Sequence, residues 1–170
     1  MRNVFLTGIM VALTLAAFGC QRTRMASPLP VDHDVADREA DMAFWHGLAD
    51  RPVVTNDEAF HALIAFAEGG DPSEGYADRL RYLKKNALLS ERFDRPADEA
   101  VSRGTVARIL APLLGIEGGL TMRLIGPTPR VALRELVHRD IMPMSSEQQG
   151  LSGIQFVEII SKAEDYLEDR

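Results

Sequence analysis

The chain has 170 residues, of which 46% are hydrophobic, so it is long and apolar enough to form one compact domain with its own core. The formal net charge of −6, with no basic patch to offset it, argues against a nucleic-acid partner. The single cysteine excludes a disulfide within one chain, so the fold must depend on apolar packing.

Residues 1–19 have the features of a targeting signal. Arg2 supplies a positive charge, and the apolar run from Val4 to Phe18 is shorter than the roughly 20 residues of a membrane-spanning helix. The run ends at Gly19-Cys20 and resembles a bacterial lipoprotein signal with its lipobox. This resemblance implies cleavage before Cys20, acylation of its thiol and new amino group, and attachment to a membrane of the cell envelope through the acyl chains. An ordinary secretory signal and an uncleaved anchor are the alternatives.

Residues 20–34 are predicted to be the lipidated N-terminus and a flexible tether, because Ser27, Pro28 and Pro30 interrupt a stretch without periodicity. The folded domain then spans 35–170. Its first predicted helix covers 35–48, with Asp34 or Asp37 as the cap. Trp45, the only tryptophan, is interpreted as a core residue, with a ligand-stacking platform as the alternative.

The next predicted helix, 55–68, opens with a pattern that occurs three times. An apolar residue precedes a Ser or Thr, and apolar residues follow at the fourth, fifth, seventh, eighth and eleventh positions, as on one buried helix face. The hydroxyl residues are predicted N-caps, and Glu58 and Gln155 complete capping boxes. Residues Thr55, Ser102 and Ser152 are 47 and 50 positions apart, a spacing typical of a repeated two-element unit.

Five further elements follow in order. A helix from about 74 to 86 is predicted to expose a basic side, which is interpreted as a solvated face or, alternatively, as an anion-binding patch. The second capped helix is 102–115, and a glycine-bracketed insert then carries Leu120, Met122 and Leu124 on either a strand or a helical turn. That insert is either a flap over the core or a partner-binding patch. Thr128-Pro129 starts a helix to about 140, and the third capped helix is 152–168. The basic residues of the predicted helix from about 74 to 86 are Arg79, Arg81, Lys84 and Lys85.

Each unit is therefore a helix, a loop and a capped helix. The second unit, with Tyr76-Ala77 opening its first helix and Val101 to Val106 opening its second, looks like an S-layer homology repeat. The third unit, Val131 to Ala163, follows the same plan, and the first, Phe44 to Ala67, is a contracted match. The resemblance implies an all-α fold in which three helix-loop-helix units pack as a pseudo-threefold helical bundle that attaches to cell-wall polymers.

In that family an arginine after the capping residue contacts anionic glycan. Only Arg103 occupies this position here, because Asn56 and Gly153 replace it in the other units. Arg103 and, as a stacking platform, Trp45 are therefore the predicted glycan-binding residues.

No phosphate-binding loop, Cys/His metal spacing or nucleophile elbow is present in the sequence. The sequence therefore predicts no metal, no cofactor and no catalytic residue. The hypothesis is a non-catalytic, lipid-anchored envelope module that binds a wall polymer or glycan. A protein-interaction module of an envelope complex is the alternative, and an envelope enzyme is the third.

Overall fold

The structure is a computed structural model that describes residues 23–27, 29, 37–118, 126 and 128–169. Within these ranges every regular element is a helix, which confirms the all-α prediction. The six helices of the described part are α1 Arg38–Ala49, α2 Asn56–Glu68, α3 Tyr76–Lys85, α4 Arg103–Leu113, α5 Pro129–His138 and α6 Gly153–Glu168.

The predicted helix starts are confirmed in atomic detail. Thr55 and Glu58 form a reciprocal capping box: the Thr55 N–H donates to Glu58 Oε2 over 2.8 Å, and the Glu58 N–H donates to Thr55 Oγ1 over 3.3 Å. Ser102 Oγ accepts from the Thr105 N–H at 3.2 Å. Thr128 caps α5, with proline at its first position. These side chains satisfy N–H groups that a helix start leaves without intrahelical acceptors.

The apolar faces of α2, α4 and α6 meet in one core. Twelve of the fifteen predicted face positions are buried, and the remaining three, Phe66, Leu113 and Val157, pack against that core. The period of the apolar residues therefore fixed which side of each helix faces inward.

The three capped helices each pack against one of the other three helices. Helix α2 contacts α3, α4 contacts α5, and α6 contacts α1, while α2 also contacts α4. Thus α2 and α4 each pair with the next helix in the chain, and α6 pairs with the first helix.

Backbone hydrogen bonds also join the three helix starts. The first residue of each capped helix donates its N–H to a carbonyl in the loop that precedes a different capped helix. These bonds are Asn56 to Glu99 at 2.8 Å, Arg103 to Gln149 at 2.9 Å, and Gly153 to Arg51 at 2.8 Å.

Part of the segment predicted as a tether lies against the domain. The Ala100 N–H donates to the Thr23 carbonyl at 2.8 Å, and Arg51 Nη2 donates to the Ser27 carbonyl at 2.7 Å. The Leu29 N–H donates to Glu58 Oε1 at 2.9 Å. Residues 23, 27 and 29 make these three hydrogen bonds through backbone groups, so their own side chains carried no signal for the bonds in the sequence.

None of the helices in the described ranges has the length and apolar composition needed to cross a membrane. The insert residues Leu120, Met122 and Leu124 and the signal with Cys20 lie outside the described residues, and the predictions made for them stay predictions.

Candidate functional site

Arg103 is the first residue of α4, beside the loop that precedes α6, and it is only 2% exposed. Its Nη2 donates to Gln155 Oε1 at 2.9 Å, the same oxygen that accepts the Ser152 N–H at 3.3 Å. Its Nε and Nη1 are buried and have no acceptor within the described part of the chain. Burial lowers the pKa of the Arg103 guanidinium.

This arrangement leaves an interior cation with unused donors. A buried donor without an acceptor costs about 1–3 kcal/mol. A guanidinium matches the geometry of carboxylate and phosphate oxygens, which are strong charge-assisted acceptors. Arg103 is therefore chemically suited to an oxyanion, although its side chain is buried rather than on an open surface.

Trp45 is half-buried on α1 and packs against the core. Its indole N–H donates to Asp41 Oδ1 at 3.1 Å, and its ring meets that of Phe44 edge-on with 5.5 Å between the centroids. Trp45 also borders a groove that Arg103 does not line. The structure therefore does not bring the two predicted glycan-binding residues together.

The groove at Trp45 is acidic and partly apolar. We call it the acidic groove; it lies between α1, the end of α2 and the end of α6. Phe66 and Leu167 supply apolar surface beside Trp45, and Leu167 is exposed. The carboxylates at its edge are Asp41, Glu164 and Glu168. Burial, together with the charges of Asp165 and Glu168, raises the pKa of the Glu164 carboxyl.

A second groove, of about 650 Å³, lies between α5 and the loop 143–147. We call it the basic groove. Arg130, Arg134 and His138 line it at intervals of four residues, so they form one row on α5. Leu133, Val137 and Met144 give it apolar surface, with Ser145 and Ser146 beside them and Glu147 as its single acidic lining residue. The sequence prediction missed this row, although its spacing was visible in the sequence.

A buried charge network joins α2, α3 and the loop between them. Asp71 Oδ2 accepts from Arg79 Nε and lies 2.7 Å from His61 Nδ1. Arg79 Nη1 donates to Asp57 Oδ1 at 2.7 Å, and the Ser73 N–H donates to Asp71 Oδ1 at 3.0 Å. Burial by itself would raise the pKa of Asp71, but hydrogen bonds from His61, Arg79 and Ser73 hold it well below its usual range.

The network corrects one prediction. Arg79 was placed on a solvated basic face of the third helix, but it is 2% exposed. It lies three residues after Tyr76 and four before Leu83, which puts it on the inward side of α3. Burial of its charge is tolerated because Asp57 and Asp71 neutralise it. His61 is also buried, so these groups fix the 69–75 loop from the inside rather than presenting a reactive atom to solvent.

Within residues 23–27, 29, 37–118, 126 and 128–169, no three His, Cys, Asp or Glu side chains converge on a position that suits a metal ion.

No family model, no curated protein and no solved structure matches the chain.

Proposed function

We propose that this chain is a non-catalytic, lipid-anchored protein of the cell envelope, whose domain of three S-layer-homology-like units binds an anionic wall polymer. The observation that carries the proposal is the closed cycle of contacts among the three units. Its elements are the three helix pairs and the three hydrogen bonds from the first residues of the capped helices.

The cycle supports equivalent positions for the three units. The Asn56 N–H of the first unit donates to the second unit, and the Arg103 N–H of the second donates to the third. The Gly153 N–H of the third unit donates to the first. Helix pairing follows the same order. Three merely consecutive helix pairs would not require the last to return to the first. A pseudo-threefold bundle, in contrast, requires the last unit to contact the first, both in the helix pairing and in the backbone hydrogen bonds.

The three junctions differ in the groups they offer a ligand. At the first junction, Asn56 Nδ2 already donates to the Pro96 carbonyl at 2.8 Å. At the junction that Gly153 forms with the first unit, Arg51 Nε lies 3.2 Å from the buried Glu58 Oε1, so an internal charge pair occupies that place. Arg51 Nε makes no hydrogen bond but has the Glu58 carboxylate beside it, whereas the buried Nε and Nη1 of Arg103 have no acceptor in the described part of the chain. We therefore propose a single polymer contact, at the junction of the second and third units.

In this proposal a carboxylate or phosphate group of the polymer accepts from the Arg103 guanidinium, and the mature Cys20 holds the domain near the polymer through its acyl chains. Trp45 would contact sugar only at a separate place, because it does not share a groove with Arg103.

Cosedimentation of the full chain, in mild detergent, with insoluble anionic wall polymer tests this site. We expect Arg103→Gln to weaken binding about tenfold or more, since a charge-assisted bond to an oxyanion is worth about 1.5–3 kcal/mol. Arg92→Gln removes the same charge from an exposed loop and serves as the matched control. Thermal unfolding of both variants shows whether the fold is retained. Equal binding by Arg103→Gln and the wild type would overturn the assignment to Arg103, and absence of binding by the wild type would overturn the proposed ligand.

A further inference from the structure

The acidic and basic grooves are complementary in charge and in apolar character. One presents carboxylates around Trp45, Phe66 and Leu167, and the other presents a row of cations beside Leu133 and Met144. They have no lining residue in common and are formed by different helices. The two grooves are thus opposite in charge, and neither is complementary in charge to a second copy of itself.

We propose that the basic groove of one copy binds the acidic groove of a second copy, so that the protein associates head to tail. The α5 row, Arg130 and Arg134 above all, faces Glu164 and Glu168 on α6 of the other copy. Met144 of the loop 143–147 packs against Trp45 and Phe66 of that copy.

Two charged side chains in each groove are available for this contact. In the described ranges neither Arg130 nor Arg134 forms an ion pair, and the same holds for Glu164 and Glu168. Other charged residues on or next to the same helices form ion pairs within the chain: Arg139 pairs with Glu135 at 2.8 Å, and Lys162 pairs with Glu158 at 3.1 Å. Each groove therefore holds two charged side chains that no ion pair occupies, and opposite charges across an interface both steer and orient association.

Met144 gives the interface an apolar anchor. It is 89% exposed, the highest value among the exposed large hydrophobic residues of the described chain. A methionine side chain is flexible and makes favourable contacts with aromatic rings, which the acidic groove supplies through Trp45 and Phe66. Burial of a methionine side chain removes apolar surface from water and stabilises a complex.

The two surfaces differ, so the contact is heterologous. A heterologous contact leaves one free groove at each end of a dimer and continues to a trimer and beyond, unless its rotation closes a ring. On a membrane, copies held by their acyl chains would form short rows. This inference concerns the grooves and not Arg103, so it holds or fails independently of polymer binding.

Native mass spectrometry of the full chain, released from detergent micelles, can test the contact. We expect a concentration-dependent series of dimers and larger species for the wild type. Raising the salt concentration from 50 to 500 mM before transfer should weaken association about tenfold, because the pairs are exposed at the rim. The double variants Arg130→Gln/Arg134→Gln and Glu164→Gln/Glu168→Gln should each be monomeric at concentrations where the wild type associates.

Mixing the two variants provides the decisive result. Each variant keeps one intact groove, and the two intact grooves are complementary, so the mixture should give one-to-one heterodimers and nothing larger. Lys84→Gln/Lys85→Gln on α3 is the matched control for charge loss and should associate like the wild type. Met144→Ser should weaken the contact about tenfold, as expected for loss of one buried methionine.

Three outcomes would overturn the proposal. One is a wild type that stays monomeric at high concentration and low salt. Another is a mixture of the groove variants that stays monomeric although the wild type associates. The third is association by a groove variant alone at wild-type strength, which would locate the contact elsewhere on the molecule.

Discussion

Gly153 tests the packing of α6 on α1. It is the first residue of α6, and its N–H donates to the Arg51 carbonyl at 2.8 Å. A Cβ added there would lie 1.7 Å from the Leu48 carbonyl oxygen and 2.9 Å from that of Ala49, whereas ordinary contacts are 3.4–4 Å. Both obstacles are backbone atoms at the end of α1, so no side-chain rotation can relieve the overlap. Gly153→Ala must therefore separate α6 from α1 by about 1.5 Å or more.

The cost of this separation can be estimated from its parts. Loss of the hydrogen bond to Arg51 costs about 1 kcal/mol. Overpacking of a closely packed contact adds about 1–3 kcal/mol. Alanine has a better helix propensity than glycine, and this offsets up to about 1 kcal/mol of the loss. We expect Gly153→Ala to lower the free energy of unfolding by about 2–3 kcal/mol, and therefore to lower the melting temperature by about 10 °C.

Circular dichroism of the full chain in detergent, followed at 222 nm during heating, measures this effect. Gly70→Ala is the matched control, because a Cβ there meets nothing within 4 Å. It should stay within about 0.5 kcal/mol of the wild type. If Gly153→Ala melts within the error of the wild type, then α6 and α1 do not pack as described and the cycle of units is broken.

Other predictions concern the buried network, the caps and a tyrosine. Asp71→Asn leaves the buried charge of Arg79 partly unpaired and should lower the free energy of unfolding by about 3 kcal/mol in chemical denaturation at pH 7. The depressed pKa of Asp71 means that its stabilisation is present above its unfolded value of 3.8 and is lost as the pH falls below it, so the wild type should lose more stability than the variant between about pH 5 and pH 2. Ser102→Ala removes a cap and should cost about 1 kcal/mol, whereas an unchanged midpoint would contradict the cap. The hydrogen bond to Glu68, followed by burial, raises the pKa of Tyr82 to about 12, so Tyr82→Phe should remove a late step from an alkaline absorbance titration.

The capped helices could be predicted because their determinants are local. A cap, its partner three residues later and the apolar face all lie within about twelve residues, and Thr55 with Glu58 shows the expected geometry. The inward position of Arg79 was also implied by its spacing from Tyr76. It was missed because a charge was assumed to be solvated, and its partners Asp57 and Asp71 lie on other elements.

The grooves and the burial of Arg103 could not be predicted in the same way. Each depends on how segments fold against each other: the basic groove needs the loop 143–147 to turn back beside α5, and Arg103 needs Gln155 from the distant helix α6. A single sequence gives the period of each helix but not the junctions between helices. The charge row at Arg130, Arg134 and His138 was a local signal, but its significance depends on the groove that the fold builds around it.

Attachment through Cys20 can be measured most directly by fractionating cells that express the wild type beside Cys20→Ser, with mass analysis of the mature N-terminus. The proposed function predicts a membrane-bound wild type that begins at an acylated Cys20, and a variant that is neither acylated nor held on the membrane. If both proteins are recovered with the same unacylated N-terminus outside the membrane fraction, the chain is not lipid-anchored, and its place in the envelope would have to depend on polymer binding alone.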